Sequence, residues 1–386
     1  SVVDFTYNRP RPNDNQAPTK MANYLDVPYF ASDIVHAGGN YMTDGLGTSA
    51  STDLVYVENS IPNSQVLQIM EDYYGIETYH VLDDPNNTYI DHIDCWGKYL
   101  SPTKVLIREV PASHAQYGEI EATATYFGNS TNEWGEPWEV YRVWTPNDQP
   151  YTNSLILNEK VLVPVTGSSW DDEALTAYEE AMPGFDILPF TGSWESTDAL
   201  HCRIKGIPDL EMLQVFHNPI NDSTEAIDNG YPVEVIIDDL SGAGLIEDSI
   251  KVFWKIPSMN DWNSDYLYGS DVPEEPNTWS GWIPTQEEGT IQYYIQSADS
   301  SGRIENSPLA GWHEFLALPP NTCLEWVLGD MNNSGELDVF DILILADYVS
   351  SGEFPGACPQ SVSDVNEDGN LNIMDVIILV NLIMNP

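Results

Sequence analysis

The first half of the sequence repeats a pattern of hairpin, helix and strand. Three copies are predicted, and a fourth begins at Asp198 and is cut short near Asp209. The first copy has a predicted strand at 54–57, a helix at 62–74 and a further element at 76–82. The second has strands at 92–99, 104–110 and 139–144 and a helix at 115–127. The third has a hairpin of 154–157 and 161–165, a helix at 171–182 and a strand at 185–190. A unit of about 50–60 residues cannot bury its own apolar faces, so such copies stack radially or in a line. This half of the chain is therefore predicted to be a repetitive α/β structure.

The balance of charge restricts what this protein can bind. The 386 residues include 13 Lys and Arg against 61 Asp and Glu, for a net charge of −48, and 42% of them are hydrophobic. The apolar fraction is that of a folded protein rather than of an acidic disordered tail. Phosphate backbones and anionic lipid surfaces would be repelled, so we expect no nucleic-acid partner and no membrane partner. Basic substrates, divalent cations and cationic protein surfaces remain, and solubility alone would also account for the acidity.

Between residues 210 and 320 the helical periodicity disappears. Alternating β-rich runs at 232–237, 250–256, 290–297 and 313–318 are separated by loops rich in Asp, Asn, Gly and Pro. Short runs with loops of this kind are typical of an all-β sandwich of about a hundred residues. We therefore predict a second, all-β domain in this part of the chain.

The C-terminal segment contains one loop–helix unit twice, 34 residues apart. Each loop has oxygen-bearing side chains at positions 1, 3, 5, 9 and 12 and Gly at position 6, and an apolar helix follows. Hard oxygen ligands around a sharp glycine turn are what Ca²⁺ requires, with position 7 contributing its carbonyl. Two structural calcium ions are therefore predicted. The residues of their loops are Asp330, Asn332, Ser334, Glu336, Asp338 and Asp341 in the first, and Asp364, Asn366, Asp368, Asn370, Asn372 and Asp375 in the second.

Two short runs carry groups suited to nucleophilic catalysis. In the run 92–96 (HIDCW), His92 and Asp94 lie two residues apart, and on a strand they would project from the same face. The run 197–203 holds Cys202. A thiol, an acid–base group and an orienting carboxylate are the parts of a thiol enzyme. The pattern alone is not specific, because His-x-Asp pairs are common and a lone Cys is more often a small buried apolar residue.

Five segments occur in order along residues 1–208. They are Tyr7-Asn8-Arg9-Pro10-Arg11-Pro12-Asn13-Asp14, Gly38-Gly39-Asn40-Tyr41-Met42-Thr43-Asp44-Gly45, His92-Ile93-Asp94-Cys95-Trp96-Gly97-Lys98, Tyr151-Thr152-Asn153-Ser154-Leu155 and Asp198-Ala199-Leu200-His201-Cys202-Arg203. Together they resemble the bacterial-type peptidyl-arginine deiminases, which belong with agmatine and arginine deiminases and amidinotransferases in the guanidino-group-modifying superfamily. The resemblance implies a five-bladed, pseudo-symmetric α/β propeller, and the β-sandwich fits that family's Ig-like domain.

The resemblance also implies roles for individual residues. Cys202 would be the nucleophile that forms a covalent amidino-thioether. His92 would protonate the departing ammonia and then activate water, Asp94 would bind guanidinium nitrogens, and Asn153 would position the substrate. Arginine would be hydrolysed to citrulline and ammonia without a catalytic cofactor. By contrast, we expect His201 to pack beside the nucleophile, Cys95 to lie in the core and Asp44 to be structural.

Arg9 and Arg11 are two of only six arginines in the chain. In the resembled family the paired arginines of this motif grip the free carboxylate of a C-terminal arginine, a task for which the guanidinium fork is well suited. The resemblance therefore implies an arginine-containing peptide as substrate. Agmatine lacks that carboxylate, and deimination of agmatine or of free arginine is the alternative.

The duplicated calcium loops resemble a dockerin, the module that plugs into a cohesin domain and attaches enzymes to a scaffold protein. The resemblance implies a cohesin partner and a bacterial protein that is secreted or attached to the cell surface. Positions 10 and 11 of the loops, which in the family help to choose the cohesin, are bulkier and more apolar than the common Ser/Thr pair. They are Val339 and Phe340 in the first loop and Ile373 and Met374 in the second.

The resemblance has a gap at the start of the sequence. The family carries a further guanidinium-binding aspartate in a Trp-Thr-Arg-Asp-like segment upstream of the Arg-Pro-Arg motif, and only eight residues precede Arg9 here. We therefore expect a partial, N-terminally incomplete propeller and a sequence that is a fragment of a longer gene product. The rival hypothesis is a truncated or non-catalytic scaffold or interaction protein that carries a dockerin. The presence of Cys202, His92 and Asp94 together argues against it.

Three domains are predicted from these observations. They are a deiminase catalytic domain over 1–208, an Ig-like β-sandwich over 209–320 and a small α-helical, calcium-binding dockerin over 321–386. Cys323 and Cys358 lie seven and six residues ahead of their respective calcium loops. These near-equivalent positions predict a disulfide between them, consistent with secretion.

Overall fold

The computed structural model describes residues 1–220, 223–227, 230–270, 272, 277–286, 289–318, 327–332, 334–351, 362–366 and 368–384. The chain divides into two compact units, Ser1–Asn218 with Ile236–Ser249 and Tyr294–His313, and Pro219–Val235 with Ile250–Tyr293 and Glu314–Pro386. The three domain ranges stay predictions, and the Cys323–Cys358 disulfide lies outside the described residues. Among those residues, no helix has the length and apolar character that crossing a bilayer requires.

Residues 2–36 form a strand–helix–strand unit that the sequence analysis did not assign. β1 (Val2–Tyr7) and β2 (Tyr29–His36) pair in parallel, and α1 (Pro12–Asn15) and α2 (Ala17–Leu25) connect them. Proline lies within the first two positions of both helices, where its missing N–H costs no intrahelical hydrogen bond. The loop after β1 carries Arg9 and the loop after β2 leads to the glycine run at 38–39.

Residues 42–191 form three copies of one three-stranded sheet. In each copy the first two strands pair antiparallel, a helix follows, and the third strand pairs in parallel with the second. The elements are β3 (Met42–Thr43), β4 (Thr48–Thr52), α3 (Leu54–Val57), α4 (Asn63–Tyr74) and β5 (Thr78–Leu82) in the first copy, β6 (Gly97–Tyr99), β7 (Lys104–Glu109), α5 (Tyr117–Gly128) and β8 (Glu139–Trp144) in the second, and β9 (Leu155–Leu157), β10 (Lys160–Val165), α6 (Asp171–Ala181) and β11 (Asp186–Thr191) in the third. The structure therefore contains the repeated hairpin–helix–strand unit of the sequence.

One helix in each copy buries an apolar face. Residues three or four apart share such a face, and burying each of the larger apolar side chains stabilises the fold by about 1.5–3 kcal/mol. The buried positions are Val66 and Met70 in α4, Ile120, Ala124 and Phe127 in α5, and Ala174, Tyr178 and Ala181 in α6. The cluster around α5 also takes in Met42 and Ala50 from the preceding copy, so neighbouring copies share their core.

Two predicted strands are wrong, and both errors lie next to the site. Residues 54–57 are the short helix α3, because the N–H groups of Tyr56 and Val57 donate to the carbonyl of Asp53 at 2.8 and 3.1 Å. The strand of that copy is β4, whose small side chains are all buried but give a weak apolar signal. Residues 93–95 form a 3₁₀ turn, and β6 begins only at Gly97.

Residues 213–318 form two β-sheets, as the loss of helical periodicity predicts. The strand orders are β12-β14-β18-β17 and β13-β21-β19-β15-β16, with β20 paired to β19. The bounds are β12 (Leu213–Phe216), β13 (Ser223–Glu225), β14 (Tyr231–Asp239), β15 (Lys251–Lys255), β16 (Asn263–Tyr266), β17 (Tyr268–Gly269), β18 (Thr278–Ile283), β19 (Gly289–Ala298), β20 (Ile304–Ser307) and β21 (His313–Leu318). The ring of Phe315 packs on Tyr231 and Tyr293, with centroids 5.1 and 5.8 Å away. The Ig-like character of these sheets stays a prediction.

Two helices follow the C-terminal loops. They are α7 (Val339–Ser351) and α8 (Ile373–Met384), and they pack against each other. Leu345 and Tyr348 of α7 are buried with Val376 and Leu379 of α8 in one apolar cluster.

Candidate active site

The predicted catalytic residues lie on loops that precede or follow the repeats. The 3₁₀ turn Gly38–Asn40 precedes β3, the turn Ile93–Cys95 precedes β6, residues 151–154 precede β9, and the 3₁₀ turn His201–Arg203 follows β11. The first of these turns contacts the second and the last. Equivalent loops of successive repeats thus converge on one place.

Asn40 holds the turn that carries His92 and Asp94. Its side chain is 1% exposed, and its Oδ1 accepts hydrogen bonds from the Ile93 N–H at 3.2 Å and from the N–H and hydroxyl of Thr52 at 2.9 and 3.0 Å. Because one buried oxygen ties β4 to the turn, the backbone at residue 93 cannot pair as a strand. The prediction that His92 and Asp94 project from one face of a strand is therefore wrong. The two side chains nevertheless lie close together in the structure.

The thiol of Cys202 lies between a carboxylate and an amide. Its Sγ is 3.3 Å from Asp94 Oδ2 and 3.3 Å from Asn153 Nδ2. The same amide accepts the Cys202 N–H through Oδ1 at 3.3 Å, and its Nδ2 also reaches the Asp94 carbonyl at 3.4 Å. Asn153 therefore contacts the proposed nucleophile itself, whereas the sequence expectation gave it the task of positioning substrate.

His92 and Asp94 lie side by side against the backbone of Gly39. A Cβ atom on Gly39 would be 2.7 Å from His92 Nδ1 and 2.9 Å from Asp94 Oδ2. No side chain fits there, so the glycine is required by space. Within the described residues, His92 Nε2 is buried without a hydrogen-bond partner.

Burial and charge set the protonation of the catalytic groups. Burial and the Asp94 charge raise the pKa of the Cys202 thiol to about 12, although the Asn153 hydrogen bond opposes this. Burial lowers the pKa of His92, against the opposing charge of Asp94. At neutral pH the resting site consequently holds a neutral thiol and a neutral imidazole.

The carboxyl of Asp94 behaves in the opposite way. Burial alone would raise its pKa, but the hydrogen bond and charge of His201, together with His92, hold that pKa below its usual value. Lys98 lies partly buried on β6, and burial lowers its pKa to about 8 while the Asp94 and Cys202 charges oppose this shift. The site therefore keeps one buried negative charge suited to a cationic ligand.

The structure separates the two arginines of the Arg-Pro-Arg motif. The positive charge of Arg9 acts to lower the pKa of both His92 and Glu58, so this guanidinium interacts with the site and with a second carboxylate. In the part of the chain that the structure describes, the Arg9 side chain forms no ion pair. The Arg11 side chain is 68% exposed and lies 4.0 Å from Asp14. The structure thus brings Arg9 to the site and leaves Arg11 facing solvent.

Three further residues beside the motifs have defined contacts. His201 Nδ1 lies 2.8 Å from Asp94 Oδ2, a polar contact that the sequence did not predict. Cys95 is buried in an apolar cluster, with its thiol 3.6 Å from Asp94 Oδ1. Asp44 accepts hydrogen bonds from three backbone N–H groups of residues 46–48, at 2.9–3.2 Å, which is a turn-forming role. In the sequence, His201 was marked only by its position next to Cys202, and Gly39 only by its place in a pair of glycines. Neither feature shows that the residue contacts Asp94, which is distant in the sequence.

The two C-terminal loops have matching hydrogen bonds. Asp341 at position 12 accepts the N–H groups of Met331 and Asp338 at 2.9 and 2.8 Å, and Asp375 accepts those of Asn366 and Asn372 at 3.3 and 2.8 Å. Both carboxylates are 0% exposed. Within the described chain, neither forms an ion pair with Lys or Arg, and a buried carboxylate without a cation is costly. Among the described residues, no three His, Cys, Asp or Glu side chains lie close enough together to hold a metal ion, so the calcium ligands stay a prediction. The other predicted ligands border the same turns: Asp330, Asn332, Ser334, Glu336, Asp364, Asp368 and Asn370.

Two family models match the sequence. The Porphyromonas-type peptidyl-arginine deiminase model matches residues 1–208, and the dockerin type I domain model matches residues 328–384. Both resemblances drawn from the motifs are thereby confirmed.

Individual relatives are more distant. A Yersinia pseudotuberculosis protein, provisionally named an agmatine deiminase, is 23% identical over 230 residues, which cover 50% of this chain and 63% of that protein. A Mycoplasma mycoides protein with the same provisional name is 22% identical over 213 residues, covering 46% and 58%. The chain thus spans less than two thirds of the length of these curated relatives.

Solved structures of related proteins are similar to part of the chain. The agmatine deiminase of Enterococcus faecalis has a TM-score of 0.45 and 20% identity, covering 49% of this chain and 64% of that one. An agmatine deiminase of C. jejuni has a TM-score of 0.44 and 16% identity, covering 53% and 67%. The family assignment depends on the family model, which spans 208 of the 386 residues and the whole candidate site. The chain belongs to the Porphyromonas-type peptidyl-arginine deiminase family.

Proposed function

We propose that this protein hydrolyses the guanidinium group of a C-terminal peptidyl-arginine to give citrulline and ammonia. The observation that carries the proposal is the position of Cys202 Sγ, 3.3 Å from a buried Asp94 oxygen. A guanidinium bound to that carboxylate would have its central carbon next to the thiol. A nucleophile held beside the group that binds the substrate is the arrangement that covalent catalysis needs.

The substrate's own charge supplies the activation of the thiol. A guanidinium stays protonated at all physiological pH values and is a poor electrophile until its plane is fixed by hydrogen-bonding carboxylates. When this cation enters the site, it offsets the Asp94 charge that raises the pKa of Cys202. The thiolate form then becomes accessible near neutral pH.

The reaction would proceed in two halves. The Cys202 thiol passes its proton to His92, and the resulting thiolate adds to the guanidinium carbon. A C–N bond then breaks as His92 returns that proton to the leaving nitrogen, releasing ammonia. The remaining amidino-thioether is attacked by water, whose proton returns to His92. The C–S bond breaks, citrulline leaves and the thiol is restored, so the sum is arginine plus water giving citrulline plus ammonia.

Arg9 supports a peptide substrate with a free C-terminal carboxylate. Its positive charge acts on His92 of the site and on the carboxylate of Glu58, without an ion pair among the described residues, and a guanidinium is a strong carboxylate ligand. Agmatine deimination is the second candidate function, because the Yersinia relative carries that name. Agmatine has no carboxylate, so Arg9 distinguishes the two.

The decisive assay is citrulline release from a peptide ending in arginine. We expect Cys202→Ala to abolish release. Arg9→Ala combined with Arg11→Ala should weaken peptide turnover and spare agmatine-like ligands. Equal turnover of peptide by the double variant would reject the carboxylate role, and activity in Cys202→Ala would reject the mechanism.

The C-terminal module is proposed to attach the enzyme to a scaffold outside the cell. The resemblance to dockerins supports two structural calcium ions in the loops and a cohesin partner. Apolar side chains at equivalent places on the two units are exposed and form the proposed contact surface: Val339, Phe340 and Leu343 at 57–61%, and Ile373, Met374 and Ile377 at 46–58%. Calorimetric titration with cohesin domains, with and without calcium, tests the proposal; binding that is equal in a chelator would contradict it.

A further inference from the structure

His201 is the basic side chain hydrogen-bonded to the buried carboxylate of the site. Its Nδ1 lies 2.8 Å from Asp94 Oδ2, and the Asp94 side chain is 4% exposed while that of His201 is 26% exposed. The backbone fixes the imidazole in this place, because the His201 N–H donates to the Asn153 carbonyl at 3.1 Å within the turn that carries the nucleophile. The contact joins two loops 107 residues apart.

The other groups around Asp94 do not replace this contact. The titratable neighbours are Cys202 on the same turn as His201, His92 and Cys95 on the turn of Asp94 itself, and Lys98 on β6. The two thiols lie 3.3 and 3.6 Å from its oxygens, and thiols are weak donors. Gly39 lies against the carboxyl group, and Thr152 and Asn153 donate to the backbone carbonyl of Asp94; none of the three has a titratable side chain.

We propose that His201 is a positioning residue of the deiminase site, whose Nδ1–H keeps Asp94 ionised and oriented to bind the guanidinium of the substrate. This inference rests on the proposed function, because it assigns a further residue to the same site. A buried carboxylate that loses its main hydrogen-bond donor is protonated at higher pH than before. The protonated acid carries no charge to attract a guanidinium, so binding is lost as the pH falls.

The direction in which substrate binding changes with pH distinguishes a positioning role of His201 from a purely structural one. Removing the imidazole raises the pKa of Asp94, so the defect is large at low pH and shrinks as the pH rises above the new value. A packing defect would weaken binding by a similar factor at every pH. Because the contact acts on substrate binding, KM changes more than kcat.

The experiment measures KM and kcat for a C-terminal-arginine peptide between about pH 5.5 and pH 9. In His201→Ala we expect KM at the acidic end to rise by about tenfold for each unit by which the new pKa of Asp94 lies above the assay pH, and to approach the wild-type value at pH 9. His201→Asn retains an N–H donor close to the Nδ1 position and should restore most of the affinity. His114→Ala is the matched control, because it removes another imidazole–carboxylate contact, 3.5 Å from Asp148, outside the site.

Two results would overturn the inference: a KM defect in His201→Ala that is the same at all pH values, or a pH profile equal to that of the wild type. Binding of the same peptide to Cys202→Ala and to Cys202→Ala with His201→Ala, measured by calorimetry, separates this inference from the proposed function. Absence of turnover in the wild type together with a pH-dependent loss of affinity rejects the proposed reaction and supports the role of His201. If the peptide binds neither protein at any pH, Asp94 is not a guanidinium site and both proposals fail.

Discussion

The amide of Asn153 contacts Cys202 on both sides: Oδ1 accepts the Cys202 backbone N–H at 3.3 Å, and Nδ2 donates to Sγ at 3.3 Å. One side chain therefore holds the Cys202 backbone and opposes the rise in the pKa of its thiol that burial causes. In the proposed reaction, the same hydrogen bond would stabilise the thiolate once a cation is bound.

Asn153→Asp tests that role with little change in shape. The substitution removes the N–H donor and places a negative charge beside the sulfur, so the thiolate is destabilised. A hydrogen bond to a charged group contributes about 1.5–3 kcal/mol, which predicts a fall in kcat of roughly tenfold to hundredfold. Asn158→Asp, on the exposed β9–β10 turn, is the control. An unchanged kcat, or a loss accompanied by an equal loss of thermal stability, would count against the role.

Asp94→Asn should separate thiol reactivity from turnover. Burial and the Asp94 charge raise the pKa of Cys202 to about 12, so removing that charge lowers the pKa and increases the thiolate fraction at pH 8. We expect alkylation of Cys202 by iodoacetamide to become faster, by about tenfold for each unit of pKa, while citrulline release is lost because the guanidinium ligand is gone.

The alkylation is followed by mass spectrometry of the Cys202 peptide across pH 6–10 (about two units on either side of pH 8). Cys95 serves as the internal reference, because it is 3% exposed and should stay unmodified in both proteins. Slower alkylation of Cys202 in Asp94→Asn would show that the carboxylate does not control this thiol.

Calcium should stabilise the C-terminal module through Asp341. This buried carboxylate sits at position 12 of the first loop without an ion pair to Lys or Arg in the described chain. Ligand binding to the folded state alone contributes about 2.7 kcal/mol at a hundred times Kd, so a chelator should lower the unfolding temperature of the module. Asp341→Asn should reduce the calcium-dependent part of the shift.

The matched control for calcium is Asp347→Asn, an exposed acid on the same helix α7. It changes the net charge equally but lies outside the loop. If both variants reduce the calcium shift equally, the effect is general electrostatics and not coordination.

The strong periodic elements could be predicted from the sequence. Strand β8 and helix α6 begin where the pattern placed them, at Glu139 and Asp171, because apolar spacing reports which face is buried. One failure comes from a side-chain hydrogen bond and another from buried polar side chains. The side chain of Asn40 accepts the N–H of Ile93, so that a predicted strand is a 3₁₀ turn instead. The two residues are far apart in the sequence, and local sequence patterns therefore do not predict this contact. The strand β4 was missed because its Ser and Thr side chains are buried although they are polar.

The chemical identity of the site was more predictable than its internal geometry. Residue types and family motifs pointed to Cys202, His92, Asp94 and Asn153, and the structure brings these four together; their roles stay predictions. The pairing of Asp94 with His201 spans 107 positions and depends on how the repeats stack. A single sequence carries no measure of that distance, so His201 was expected only to pack and its contact with Asp94 could not be predicted. The sequence likewise could not show that Arg9 interacts with the site while Arg11 is exposed to solvent.

Gly39 offers the sharpest test of the site's geometry, because Gly38 is a neighbouring glycine in the same turn. A Cβ on Gly39 would lie 2.7 Å from His92 Nδ1 and 2.9 Å from Asp94 Oδ2, whereas a Cβ on Gly38 would have nothing within 4 Å. Gly39→Ala must therefore displace the two catalytic side chains, and a displacement of about 1 Å costs on the order of a hundredfold in rate. Gly38→Ala should leave kcat/KM close to wild type. The comparison uses citrulline release, with thermal unfolding as the check on folding. Equal activity of the two variants would mean that His92 and Asp94 do not act from the positions described here, since only the Gly39 substitution enters their space.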